Sequence, residues 1–99
     1  MKLPKRVKIG ARTYRVIKDY NFKKQDDDED VMGMHNGMYG TIRIAPTGND
    51  IHKFQILIHE MLHGIDAVYN SDKLEEDTVE RLSQGLVQVL TDNFTIKPK

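Results

Sequence analysis

Residues 51–69, IHKFQILIHEMLHGIDAVY, constrain this chain more than any other stretch. Phe54, Leu57, Ile58, Met61, Leu62, Ile65 and Val68 recur at steps of three and four. That spacing lays them along one stripe of a helix. Asn49 or Asp50 can cap its start. Apolar Leu57, Ile58, Met61, Leu62 and Ile65 make it a buried helix, so the rest of the chain must cover it.

Ahead of that helix the period is two. RVKI at 6–9 and RTYRVIK at 12–18 alternate polar and apolar residues around Gly10-Ala11, which reads as a hairpin with Val7 and Ile9 on one face and Tyr14 and Val16 on one face. Asn36-Gly37 is a two-residue turn signal, since both positions tolerate positive φ. It is expected to join a short strand near 31–35 to a longer one, YGTIRIA, at 39–45. Pro46, Gly48, Asn49 and Asp50 end the sheet. After the helix, Asn70-Ser71-Asp72 reads as a turn, and Asp72 with Glu75 as a capping box. A second, antiparallel helix should run from about 73 to about 93. Its stripe is Val79, Leu82, Leu86, Val89 and Leu90, with Ser83 and Gly85 as close-approach positions. Strands followed by helices argue α+β. The expected domain is a single one over residues 1–99: a small antiparallel sheet of three or four strands at about 5–46, then the two helices. The tail FTIKPK should be loosely held.

A chain of 99 residues buries only roughly 60–65% of its unfolded surface, so a bound metal would add to a thin margin. Cysteine is absent, which removes disulfides, cysteine-rich zinc knuckles and thiol catalysis. The basic start MKLPKRVKIG has no apolar run behind it, so it is no signal peptide. No stretch approaches the roughly 20 apolar residues of a membrane span. A cytoplasmic protein is expected. Net charge is zero but unevenly placed. Residues 1–25 carry nine Lys or Arg against Asp19 alone, and residues 26–30 read DDDED. The basic end suits the wet face of a small sheet better than nucleic acid, because no aromatic interleaving accompanies it. The acidic run, expected in an exposed loop at 21–30, lacks the alternate spacing and turn glycine of a calcium loop.

Within the first helix stands HEMLHGID. His59 and His63, at i and i+4, project from one face a single turn apart. Both imidazoles can bond one zinc ion at about 2.0–2.1 Å. Glu60 sits roughly 100° around the helix, which suits a proton acceptor for water better than a third ligand. The three letters would fall together by chance in well under roughly one chain in a hundred of this length. A catalytic zinc needs a third protein ligand, which here must be His, Asp or Glu. Asp66 shares the histidine face but lies about 10 Å along the axis. It is expected behind the metal, or as a partner of His63. His35 and His52 are isolated and read as turn or cap residues. On the second helix Glu76 and Glu80 flank the stripe one turn apart. One would bind the metal and the other would orient a ligand histidine. Axial matching of a tight helical hairpin slightly favours Glu80.

HEMLH followed by EDTVERLSQGL resembles the gluzincin class of zinc metallopeptidases, and within it the small ImmA/IrrE-like proteins of phages and mobile elements. There, strands precede an HExxH helix and a glutamate opens the next one in a pattern like E-x-x-A-N-x-F-A-x-x-L-L. Glu76, Val79, Glu80, Leu82, Ser83 and Leu86 fall on that pattern. The resemblance implies Glu76 as third ligand, and a peptide substrate bound by strand addition along residues 39–45. It implies a zinc-dependent peptidase in the cytoplasm of a bacterial host, with a regulatory protein as substrate. Manganese or iron would also suit two histidines and a carboxylate. In this reading His59, His63 and Glu76 hold zinc, Glu60 moves the proton, and His35 or Tyr39 stabilises the oxyanion. The rival is a catalytically silent adapter that keeps zinc as a staple.

Overall fold

The computed structural model describes residues 2–19, 33–46 and 48–95. The acidic run and residues 96–99 of the tail lie outside them. Four strands, β1 (Arg6–Ile9), β2 (Arg12–Lys18), β3 (Gly33–Asn36) and β4 (Thr41–Ile44), precede α1 (Asp50–Tyr69) and α2 (Glu76–Asn93). The fold is α+β, as the order of patterns implies.

The sheet is mixed, not antiparallel throughout. Its order is β1-β2-β4-β3, with both hairpins antiparallel and β2 parallel to β4. Arg15 N donates to Gly40 O at 2.9 Å, and Asp19 N to Ile44 O at 3.0 Å, on either end of the parallel seam. Burial explains the choice. Thr41, Ile42 and Ile44 are all buried, so β4 belongs in the middle of the sheet. That corrects a second expectation. Residues 41–44 are paired on both sides and offer no edge to a peptide; among the described strands the edges are β1 and β3, and β3 is the edge with more contact to α1.

The Asn36-Gly37 turn is longer than expected. Asn36 ends β3, and Gly37–Gly40 form a four-residue loop in which the left-handed φ of 63° falls on Gly40. The Asn36 side chain accepts from Tyr39 N at 3.1 Å and closes the loop.

One sheet face carries Ile9, Tyr14, Ile42 and Ile44 against Phe54, Leu57 and Ile58 of α1. The Asn49 side chain accepts from His52 N at 2.8 Å and caps α1. Among the described elements α2 packs against α1 alone. Only an arc of it is therefore covered: Val79, Ser83 and Val87 are buried, with Leu90 packed beside them. Leu82, Leu86 and Val89, assigned to the stripe, are exposed by 37–50%. Ser83 is the close-approach residue; Gly85 faces open space.

The capping box does not form. Helix α2 begins at Glu76, and its cap residue Glu75 makes no side-chain cap bond. The cause lies on α1. The Asp66 carboxylate accepts from Lys73 N at 3.1 Å, from Leu74 N at 3.2 Å and from Asn70 Nδ2 at 2.9 Å. Held this way, residues 73 and 74 cannot enter the helix. Asp66 is 2% exposed and clamps this turn, so it is neither behind the metal site nor a partner of His63.

Candidate metal centre

Helix α1 sets His59 and His63 side by side as their spacing requires. Their Nε2 atoms stand 3.2 Å apart, with the rings edge to face. Two ligands at about 2.0–2.1 Å on a tetrahedral ion stand roughly 3.3 Å apart, so this pair is already at the bite of one cation. The first residue of α2 completes the group. Glu76 Oε1 lies 2.6 Å from His59 Nε2, and its Oε2 lies 2.8 Å from His63 Nε2. His59, His63 and Glu76 could hold one metal ion.

Glu80, one turn on, takes the other nitrogen. Its Oε2 is 2.8 Å from His59 Nδ1, and its Oε1 accepts from Gln55 at 3.3 Å and Gln84 at 3.1 Å. A carboxylate on Nδ1 fixes the tautomer that leaves the Nε2 lone pair free. The two acids on α2 thus divide into one that reaches both Nε2 atoms and one that orients a ring. Spacing alone left that division open.

Glu60 is 7% exposed, with Oε2 4.0 Å from His59 Nε2. Burial pushes its carboxyl up. His59 and His63 pull it down, Glu76 pushes it up again, and the backbone of His35 lowers it by a hydrogen bond. That backbone reaches Glu60 for a reason of register. The carbonyls of Gly40 and Ile44 face β2, so Thr41 and Arg43 turn to β3, opposite Asn36 and Met34. Gly33 and His35 therefore direct their backbone N–H and C=O groups outward, along an edge beside Glu60 that no described strand pairs.

Gly33 carries a role that sequence reasoning missed. A Cβ there would stand 2.7 Å from Ile56 Cγ2 and 3.0 Å from Glu60 Cγ and Oε2. The edge strand can pass over Glu60 only because no side chain intervenes. A lone glycine in a strand pattern was the available signal.

The cleft is two adjoining hollows that share Gly33, His59, Glu60 and Glu76. One, of about 270 Å³, extends past His52, Gln55 and Glu80. The other, of about 440 Å³, extends past His35, His63, Ala67 and Asp72. Neither candidate for the oxyanion is well placed. Tyr39 is 72% exposed and lines neither hollow. His35 lies in the wall, its ring 5.1 Å from Tyr14, and its Nε2 is buried with no partner among the described residues. His52 donates its backbone N–H to the Asn49 cap and lines the smaller hollow.

No described helix is long and apolar enough to cross a membrane. Compared with protein-family models, with curated proteins and with solved structures, the chain matches none.

Proposed function

We propose that this chain is a zinc-dependent peptidase, with His59, His63 and Glu76 as the metal ligands and Glu60 as the proton carrier. The observation that carries the reading is the convergence of two Nε2 atoms and one carboxylate on a single point, with a buried glutamate alongside. The likeness of HEMLH and the following helix to gluzincins points the same way. Zinc bound by these three groups supplies Lewis acidity at the cleft floor.

Each remaining step belongs to the chain's own side chains. Glu80 holds His59 in the tautomer that keeps Nε2 unprotonated. Glu60 takes a proton from the attacking water and returns it to the leaving amine. Its burial raises its proton affinity, which helps it hold that proton between the two transfers. An extended peptide adds along β3, to the outward backbone groups of Gly33 and the carbonyl of His35, and not along 39–45. A regulatory protein of a mobile element, cut in the cytoplasm of a bacterial host, is the substrate the resemblance suggests.

The test is a zinc titration followed by digestion of an internally quenched peptide library. Stoichiometric zinc, cleavage abolished by a chelator, and loss of cleavage in Glu60→Gln with zinc retained are expected. A Glu60→Gln chain that cleaves like the parent overturns the reading. A second reading, zinc as a structural staple, draws on one observation: α2 packs on α1 alone, and the metal would tie the two together. It expects zinc to raise the melting temperature with no cleavage by either chain.

A further inference from the structure

The larger hollow ends at Asp72, a residue the metal centre does not use. Ser71 and Asp72 both adopt left-handed backbone, with φ of 56° and 58°. Consecutive non-glycine residues rarely hold that conformation unless their surroundings impose it. Here the buried Asp66 imposes it. Its backbone carbonyl accepts from Asn70 N and Asp72 N, and its side chain accepts from Lys73 N and Leu74 N. The outcome is that Asp72 lines the cleft beside His35, His63 and Ala67.

The carboxylate of Asp72 makes no hydrogen bond or ion pair with a described residue. That distinguishes it from the other acids around the cleft. Glu76 faces both histidines, Glu80 is held by His59, Gln55 and Gln84, and Glu60 lies buried at the floor. No described Lys or Arg lines either hollow. His35, a basic group in the wall, is kept toward its neutral form by burial and by His63, with Asp72 pulling the other way. The small side chain of Ala67 leaves room between the histidines and Asp72.

We infer that Asp72 is the specificity-determining residue of this half of the cleft, selecting a peptide that carries a cationic group there. The cation is a lysine or arginine side chain or a free amino terminus. The inference rests on the cleft being a peptide site, as proposed above, but not on bond cleavage.

Binding can therefore be read apart from catalysis. Labelled peptides bearing Lys, Gln or Glu at each position, with free or acetylated amino termini, are titrated into the Glu60→Gln chain with zinc present. Anisotropy gives the affinities. Cationic peptides should bind about fivefold or more tighter than their Glu counterparts at low salt. If acetylation removes the gap the cation is the amino terminus; if not, it is a side chain. Asp72→Asn, which tolerates left-handed backbone, should erase the gap, and Asp72→Lys should reverse it. Unchanged melting curves would show that the turn persists. A gap that survives in Asp72→Asn overturns the inference, as does equal binding of all peptides or binding of none. Failure of the peptidase reading shows differently, as bound cationic peptides that the parent chain never cuts.

Discussion

Helix α1 buries two carboxylates, six positions apart, and treats them in opposite ways. Asp66 is 2% exposed and Glu60 is 7% exposed. Asp66 collects three donors, two of them backbone N–H groups, and spends them on shaping the turn that leads to Glu76. Glu60 collects little beyond the backbone of His35, and burial drives it toward its protonated form. A buried acid surrounded by donors is a structural clamp. One buried without them, beside two histidines at metal-binding distance, is held at a cost to the fold, which is common where chemistry is done. The same helix thus holds the turn at one end of the cleft and the proposed proton carrier at its floor.

Replacing each acid should separate the two. Glu60→Gln should lower peptide cleavage by about a hundred- to ten-thousand-fold, while the melting temperature of the metal-free chain holds or rises, because a desolvated charge is removed. Asp66→Ala should do the reverse to the fold. Losing the acceptor of several charge-assisted bonds costs about 2–3 kcal/mol, or roughly 10 °C in a domain of this size. Calorimetry on both variants checks this. If Glu60→Gln melts as low as Asp66→Ala, the contrast between the two acids is lost.

Glu80 sharpens the comparison from outside, since it is half-exposed and acts through His59. Glu80→Ala should weaken zinc affinity by about ten- to a hundredfold and leave melting of the metal-free chain nearly unchanged. Competition against a chromophoric chelator measures the first, and calorimetry the second. Equal zinc affinity in parent and variant would reduce Glu80 to a surface acid.

What the sequence disclosed of this arrangement was local. His59, Glu60 and His63 could be read because a helical turn fixes their relation with no outside help. The bounds of α1 were legible for the same reason, with Asn49 marking the start. Relations between elements were hidden. Alternation shows that β3 and β4 form strands, but not that β4 docks against β2 and leaves β3 at an edge. The late start of α2 depends on the Asp66 clamp, a contact eight residues long that no capping pattern reports. Glu76 and Glu80 exchange roles with a shift of one turn between α1 and α2, so their division needed coordinates. Leu82, Leu86 and Val89 sit at helical spacing, yet among the described elements α2 touches α1 alone and leaves them exposed.

His35 supplies the smallest test of the contrast between satisfied and unsatisfied burial. Its Nε2 is buried without a partner among the described residues. Burial, and after it the nearby His63, hold its pKa below the ordinary histidine value of 6.5, with Asp72 pulling weakly the other way. The unfolded chain therefore binds this proton more readily than the folded one. The sign follows from linkage: folding is favoured above the ordinary value, and that share of stability is lost as pH falls from 6.5 through the depressed folded pKa. His35→Phe keeps a ring against Tyr14 and removes the titration. Subtracting its stability-versus-pH curve from that of the parent, both with chelator present, should leave a difference that is flat above about pH 7 and grows against the parent below it. A flat difference across the whole range would mean that His35 finds a partner in solution, and that Glu60 alone is the poorly satisfied group in this wall.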